Sequence, residues 1–283
     1  MNILGIDLGK FKSVCCILNT DTNQTEFYPA DTSRDNLRSM LSGRSLKLKL
    51  RADLVVVEAC AISGWVHVLC GELGVPCLVA SPNEEAWRWK SVKRKTDKAD
   101  ALKLAKLTAL EQVTPVHVPD RAGRQYRSLT KYRKTLQQRI NRIQNSLRSL
   151  FLMQGIPIPR GAKAWTEEGL AKLASYRKPL RECVSGEEFW RGQVDLEMTS
   201  LEQTGELLQE VEQKLEEIAR RDPRVQLLMT IPGVGRKTAE MIVAYLDDPH
   251  RFKNGREVSA YAGLVPRRFQ SGEMDLHGRI NKR

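Results

Sequence analysis

Closely spaced cysteines and histidines are largely missing from this sequence. It has four histidines, which are scattered, and six cysteines, none of them in a Cys-x-x-Cys pair. Zinc sites and disulfide frameworks use these residues at short, regular spacings, so the sequence favours neither. The cysteines lie mostly in apolar segments, and we interpret them as small core residues of a reducing compartment.

Long apolar runs are also missing, so the sequence predicts no membrane span and no membrane partner. The chain begins directly with an apparent strand instead of a signal peptide, and we expect a cytoplasmic protein. Positive charge is in excess, because 46 Lys and Arg outnumber 34 Asp and Glu to give a net charge of +12. That balance suits a polyanionic partner, which could be nucleic acid or an anionic surface.

Four carboxylates stand out against this basic background. Asp7 ends the apolar run Ile3–Asp7 before a glycine, and Glu58 closes the apolar run Leu54–Glu58. Asp97 and Asp100 follow Thr96, a candidate helix N-cap, and their spacing of three places them on one helix face. Each acid alone is explained by a turn, a cap or the helix dipole, so only the set of four is informative.

Oxygen ligands without His or Cys predict a hard divalent cation. Carboxylates suit Mg²⁺ or Mn²⁺ better than Zn²⁺, and two such ions can assist the cutting of a phosphodiester. We therefore predict that Asp7, Glu58, Asp97 and Asp100 bind Mg²⁺ or Mn²⁺ and are catalytic.

At 283 residues the chain is long enough for two domains and a connector. Residues 1 to about 115 alternate strand and helix patterns, which predicts an α/β sheet with helices on its faces. The predicted strands are Leu4–Asp7, Ser13–Leu18, Glu26–Tyr28, Val55–Glu58 and Cys77–Ala80, and the predicted helices are 33–43, 62–72 and 97–111.

The segment 121–150 has nine Lys or Arg and no acid. Its apolar residues step by three and four, which predicts a long amphipathic or coiled-coil helix. This seam consists of Leu129, Tyr132, Leu136, Ile140, Ile143, Leu147 and Leu150. A charged face can be merely solvated, but charge of one sign favours phosphate binding, and the candidates are Arg133, Lys134, Arg139 and Arg142.

A second long helix is predicted between Leu201 and Ile218, and it is rich in glutamate. Helices of opposite charge can pair, either within one chain or between chains. The pattern leaves both arrangements open.

Near the end of the chain, Ile231-Pro232-Gly233-Val234-Gly235 separates two short helical patterns. This arrangement is typical of a helix-hairpin-helix, whose backbone N–H groups can bind a DNA phosphate. The predicted nucleic-acid contacts are Gly233, Gly235, Arg236 and Lys237.

Ser271 follows Arg267 and Arg268 and precedes a glycine. Its hydroxyl could be exposed beside two phosphate-binding cations. From its chemistry alone it is a turn serine, and no His or Lys is placed by sequence as its base.

Taken together, these motifs resemble the DEDD transposases of bacterial insertion sequences that are related to the Piv DNA invertase and include bridge-RNA-guided recombinases. At the N-terminal end the resemblance rests on Gly5-Ile6-Asp7, Glu58-Ala59 and Lys95-Thr96-Asp97 with Asp100-Ala101. At the C-terminal end it rests on Ile231–Gly235, Tyr261-Ala262-Gly263-Leu264 and Pro266-Arg267-Arg268 through Ser271-Gly272.

The resemblance implies an RNase H-like (RuvC-like) domain at 1–115, a helical coiled-coil connector at 116–222 and a mainly α-helical transposase domain at 223–283. It implies that Asp7, Glu58, Asp97 and Asp100 are the DEDD residues and that Ser271 is a nucleophile forming a covalent bond with DNA. It also implies DNA and a guide (bridge) RNA as partners, and a homo-oligomer, either dimer or tetramer. Similar proteins continue beyond Asn281-Lys282-Arg283 with a basic helical segment, so we expect the last domain to be shortened, which bears on DNA joining.

Three other functions each agree with part of the pattern. A RuvC-like nuclease or resolvase would use metal-activated water and form no covalent intermediate. A sugar kinase of the actin-like class shares a loop similar to Gly5–Lys10, but the sequence shows no second phosphate loop. A binding protein without catalysis would use only the basic helix and the glycine turn.

Overall fold

The computed structural model describes residues 1–43, 51–82, 96–266, 268–272 and 274–280. The chain divides into two compact units, Met1–Ala122 and Gly123–Arg283.

The first unit contains a five-stranded mixed sheet and helices. The strands are β1 Asn2–Asp7, β2 Lys12–Asn19, β3 Thr25–Asp31, β4 Leu54–Glu58 and β5 Cys77–Ala80, and the helices are α1 Arg34–Leu41, α2 Ser63–Glu72 and α3 Asp97–Ala109. The strand order in the sheet is β3-β2-β1-β4-β5. Strands β1 and β4 are parallel, as are β4 and β5, whereas β2 runs antiparallel to both β1 and β3. The predicted combination of a sheet with helices is confirmed.

Both faces of the central strands are buried, which explains why they are apolar along their whole length. On one face, Leu4 and Ile6 of β1 pack with Val66 and Leu69 of α2. On the other face, Ile3 packs with Leu104 and Ala105 of α3. Helix α3 therefore covers one face of the sheet.

The second unit is mainly helical. Among its described residues it contains a long helix that begins at the boundary, five further α-helices, short 3-10 helices and a two-stranded hairpin. The helices are α4 Arg121–Met153, α5 Glu167–Ala174, α6 Phe189–Arg221, α7 Pro223–Met229, α8 Arg236–Leu246 and α9 Gly255–Tyr261, and the hairpin strands are β6 Arg268–Ser271 and β7 Met274–His277.

Helices α4 and α6 pack against each other within the chain. Leu150 of α4 lies in one apolar cluster with Val194 of α6, whereas Leu136 lies in another with Leu215. Residues later in α4 thus meet residues earlier in α6, so the two helices are antiparallel. Of the two pairings that the sequence leaves open, the structure shows the one within a chain.

Across the part of the chain that the structure describes, no helix combines the length and apolar character needed to cross a membrane.

Candidate catalytic and nucleic-acid sites

Asp7 and Glu58 end neighbouring parallel strands at the same level. The last paired residues of β1 and β4 are Ile6 and Val57, and in each strand the next residue is the acid. Parallel strands lie about 4.8 Å apart, and side chains at matching positions point to the same face. Both acids are half-buried, so two carboxylates stand side by side at the carboxyl edge of the sheet.

Gly5 identifies the face that carries these acids. Because side chains alternate along a strand, Asp7 lies on the same face as Gly5. A Cβ atom added at Gly5 would lie 2.2 Å from the carbonyl oxygen of Ala101 and 3.0 Å from the amide nitrogen of Ala105. The backbone of α3 therefore touches β1 directly, and only glycine leaves room for it.

The first turn of α3 lies toward the acids of the sheet. Ala101 is next to Gly5, and Leu104 and Ala105, further along the helix, pack with Ile3. The helix thus runs back along β1 from its carboxyl end. Its first turn carries Asp97, which is exposed, and Asp100, which is half-buried.

Thr96 fixes where α3 begins. Its hydroxyl accepts a hydrogen bond from the amide nitrogen of Ala99 at 3.2 Å, as the sequence predicts for an N-cap. This cap sets the orientation of the turn that carries the two aspartates. Three separate elements, β1, β4 and α3, therefore bring acids to one edge and one face of the sheet.

All four acids offer oxygen ligands, which fit a hard divalent cation. Within residues 1–43, 51–82, 96–266, 268–272 and 274–280, however, no three His, Cys, Asp or Glu side chains are grouped closely enough to hold a metal. The backbone thus brings the acids to one edge, while their side chains do not form a coordination group.

Ser271 ends the first strand of the hairpin. It pairs with Met274 across a turn in which Gly272 has a φ of +58°, a backbone conformation that favours glycine. Phe269 and Leu276 are cross-strand partners and lie on the same face as Ser271 and Met274. The side chains of all four residues are exposed. The serine hydroxyl therefore stands among exposed apolar side chains.

Arg268 lies on the opposite face of the hairpin from Ser271, because the two are an odd number of residues apart along one strand. Its guanidinium binds both carboxylate oxygens of Asp275, at 2.9 and 2.6 Å. This arginine lowers the pKa of Asp275 below its usual range. The prediction that Arg268 stands beside Ser271 does not match this geometry, and Arg267 lies outside the described residues.

The outer face of α4 carries exposed cations. Lys131, Lys134, Arg139 and Arg142 are exposed, and none of them forms an ion pair with a carboxylate in the described part of the chain. Lys131, Lys134 and Arg142 lie away from the apolar side of the helix that packs on α6, whereas Arg139, three residues after Leu136, lies at the edge of that side. Lys134, Arg139 and Arg142 were predicted from sequence, and Lys131 extends the set.

Arg133 differs from the prediction. It is only 7% exposed, and it forms an ion pair with Glu240 of α8, whose side chain is fully buried. A buried guanidinium paired with a carboxylate cannot meet a phosphate without repacking of α8. Helical spacing places both Arg133 and Arg139 at the edge of the apolar side, and the contact with Glu240 is what buries Arg133 while Arg139 stays exposed.

The glycine turn connects α7 to α8. Gly233 has a φ of +86°, and Gly235 is the N-cap residue of α8, without a side-chain cap. Arg236 contacts Glu216 of α6, with Nη1 and Oε2 2.5 Å apart, and Lys237 forms an ion pair with Glu212. Both predicted cations of the turn are thus already paired with acids of α6, which the sequence did not reveal.

Similarity to solved structures is limited. Two structures of the Thermus thermophilus RuvC protein, one of them in complex with a Holliday junction substrate, cover 41% of this chain. Identities are 18% and 19%, coverage of RuvC is 99% and 100%, and both TM-scores are 0.28. Scores this low do not support an assignment.

Two sequence relatives cover the whole chain, and a third matches a short part of it. A protein of Coxiella burnetii named "Transposase for insertion sequence element IS1111A" is 28% identical over 100% of this chain and 73% of its own length. The "Probable family 20 transposase" of Pseudomonas aeruginosa is 25% identical over 100% of this chain and 80% of its own. The "Pilin gene-inverting protein" of Moraxella lacunata is 43% identical over 49 residues, 17% of this chain and 15% of its own.

Family patterns match both ends of the chain. Residues 4–156, which are 153 of the 283, match the DEDD transposases of the IS110 type. Residues 225–283 match the "Transposase IS116/IS110/IS902 family". The chain therefore belongs to the IS110/IS116 family of transposases and is a DNA transposase or recombinase enzyme.

Proposed function

We propose that this transposase cuts and rejoins insertion-sequence DNA by a serine–DNA covalent intermediate, with assistance from divalent metal bound by Asp7, Glu58, Asp97 and Asp100. The observation that carries the metal assignment is the matched position of Asp7 and Glu58 under the first turn of α3. In this proposal the first unit is an RNase H-like domain. Mg²⁺ or Mn²⁺ is the metal that its oxygen ligands suit.

Rigid elements hold these acids. Asp7 and Glu58 extend from central strands whose neighbouring residues are buried, and Asp97 and Asp100 extend from a helix that Thr96 caps. Sites built on strands and helices keep their geometry better than sites on loops. A bound divalent cation there would polarise the scissile phosphate and stabilise its developing charge.

Ser271 would supply the nucleophile. Its Oγ forms a bond to phosphorus while the bond from phosphorus to the leaving sugar oxygen breaks, and the serine proton ends on that oxygen. One phosphodiester link is exchanged for another, so rejoining by the reverse reaction requires no external energy source. A serine hydroxyl needs activation, which the hairpin itself does not supply.

Nucleic acid would bind at two surfaces of the second unit. The first is the outer face of α4, with Lys131, Lys134, Arg139 and Arg142, which suits the phosphates of a structured guide RNA. The second is the glycine turn before α8, where a helix-hairpin-helix would hold a DNA phosphate. We also propose that the protein acts as a homo-oligomer, a dimer or tetramer, as the resemblance to the DEDD transposases implies.

A metal-dependent nuclease that uses activated water is the second candidate. It is favoured by the surroundings of Ser271, which shares its hairpin face with Phe269, Met274 and Leu276 and not with Arg268. The two candidates share the four acids and differ at Ser271.

Asp7→Ala and Glu58→Ala test the shared part. Each is expected to abolish strand cleavage of DNA that carries the ends of the insertion sequence, measured in Mg²⁺ on a denaturing gel. Asp35→Ala, at an exposed acid in the first turn of α1, removes the same charge and is expected to cut normally. Cleavage by Asp7→Ala at the rate of the unaltered protein would reject the assignment.

A further inference from the structure

Three ion pairs connect α8 to the two long helices. Glu240 of α8 is paired with Arg133 of α4, Arg236 is paired with Glu216, and Lys237 is paired with Glu212. The last two cations begin α8, directly after the glycine turn. Acids of α6 therefore lie where an anion bound at this turn would lie.

Burial distinguishes the three pairs. In the Arg133–Glu240 pair the side chains are 9% and 0% exposed. In the Lys237–Glu212 pair they are 59% and 28% exposed, and in the Arg236–Glu216 pair 30% and 35%. Removing one partner of a buried pair is strongly destabilising, whereas exposed pairs contribute little. The buried pair thus fixes α8 in place, while the two partly exposed pairs can exchange partners.

Glu216 forms ion pairs with two arginines, Arg236 and Arg220. Arg236, and after it Arg220, lowers the pKa of Glu216, so this carboxylate is charged at neutral pH. Arg236 also lies near Glu240, with Nε and Oε1 3.4 Å apart, a contact without hydrogen-bond geometry. Arg236 therefore keeps some neutralising charge when Glu216 is removed, whereas Lys237 has Glu212 as its ion-pair partner among the described residues.

We propose that Glu212 and Glu216 are specificity-determining residues of the nucleic-acid site at the start of α8, where they compete with phosphate for Lys237 and Arg236. This inference rests on the proposed function, in which that turn contacts DNA. Discrimination between partners is a difference of affinities, and it can be produced by penalising the wrong partner. Any nucleic acid that binds here must first displace two carboxylates.

The free-energy cost of displacing the two carboxylates affects nonspecific and specific ligands differently. A random polyanion gains little beyond counterion release, so the cost of displacing two ion pairs is a larger share of its affinity. A ligand that makes additional contacts elsewhere on the protein retains affinity after the same displacement. The two glutamates thus reduce nonspecific binding more than specific binding.

The test compares two double variants that lose the same charge from the same helix. Glu212→Gln with Glu216→Gln removes the competing acids. Glu206→Gln with Glu210→Gln is the matched control, because these acids of α6 are exposed and have no ion pair with a described residue. Binding of a labelled random-sequence DNA duplex is measured by fluorescence anisotropy across a range of KCl concentrations.

We expect Glu212→Gln with Glu216→Gln to bind the duplex more tightly than the control and with a steeper salt dependence. Each freed cation that meets a phosphate adds about 0.9 to the slope of log K against log salt. The slope should thus become steeper by between about one and two, because Lys237 is freed fully whereas Arg236 remains near Glu240. Equal slopes and affinities in the two double variants would overturn the inference.

A second pair of changes, Arg236→Gln and Lys237→Gln, distinguishes failure of this inference from failure of the proposed DNA contact at the start of α8. If the inference holds, these changes remove the gain in the Glu212→Gln, Glu216→Gln background and have a smaller effect in the unaltered protein. If the two changes weaken DNA binding equally in both backgrounds, Glu212 and Glu216 do not compete with phosphate, but the start of α8 still contacts DNA. If they have no effect on DNA binding in either background, the start of α8 does not contact DNA. If the double variant does not fold, as judged by circular dichroism, Glu212→Gln alone carries the test, because its pair is the more exposed.

Discussion

Asp7 and Glu58 occupy matching positions on two parallel strands, one residue beyond the paired Ile6 and Val57. Their carboxylates therefore leave the sheet on the same face, the face that α3 covers. Two like charges at this spacing favour a cation that both can bind.

A thermal-shift measurement tests that consequence without any DNA. Mn²⁺ is expected to raise the unfolding temperature of the unaltered protein, because a ligand that binds only the folded state stabilises it. Asp7→Asn should remove this shift, and Asp35→Asn, at an exposed acid of α1, should keep it. An equal Mn²⁺ shift in the unaltered protein and in Asp7→Asn would contradict metal binding at this edge.

Gly5→Ala should separate α3 from the sheet. Its Cβ would lie 2.2 Å from a backbone oxygen of α3, so the helix must move. We expect a loss of at least about 2 kcal/mol in the free energy of unfolding, together with loss of the Mn²⁺ shift. Chemical denaturation measures the first effect.

Gly71→Ala is the matched control for Gly5→Ala. Gly71 lies in α2, where an added Cβ meets nothing within 4 Å. Alanine there should leave stability unchanged or raise it by up to about 1 kcal/mol. If the two glycine variants have equal stability, the close contact between α3 and β1 is wrong.

The exposed cations of α4 should determine the salt dependence of RNA binding. Replacing Lys131, Lys134, Arg139 and Arg142 together by Gln is expected to reduce the slope of log K against log salt by about 0.7 to 0.9 per lost phosphate contact. A control removes four exposed cations elsewhere in the second unit, namely Arg160, Lys163, Lys172 and Arg181. Equal slopes for the two quadruple variants would mean that the α4 face is only solvated.

Much of the first unit could be predicted from its sequence. Apolar runs ending in acids identify β1 and β4, and Thr96 predicts the start of α3 where the structure places it. These features are local, because strand alternation and helix capping act over a few residues. The predicted β3, Glu26–Tyr28, was shorter than the observed Thr25–Asp31.

The partners of the charged residues were harder to predict, because they depend on contacts distant in sequence. Arg133 and Glu240 are 107 residues apart, and neither residue alone identifies the other. Helical spacing alone does not separate the buried Arg133 from Arg139, which lies equally close to the apolar side of α4 and is exposed. Tyr132, predicted to be in the apolar seam, is instead 42% exposed.

The surroundings of Ser271 were missed for a different reason. No strand is predicted for 268–271 from the sequence, so the alternation that places Arg268 on the other face could not be applied. Once the hairpin is known, the relation between Arg268 and Ser271 follows from counting residues.

The covalent step is tested most directly by trapping it. A suicide DNA substrate that carries the ends of the insertion sequence is incubated with protein and Mg²⁺, and the products are separated on a denaturing gel. The account predicts a protein–DNA adduct with the unaltered protein and no adduct or cleavage with Ser271→Ala, since no side-chain oxygen then remains to form the bond. Ser259→Ala, in α9 of the same unit, should behave like the unaltered protein. Metal-dependent cleavage by Ser271→Ala that leaves a free phosphate end would contradict the covalent mechanism and establish the nuclease that uses activated water.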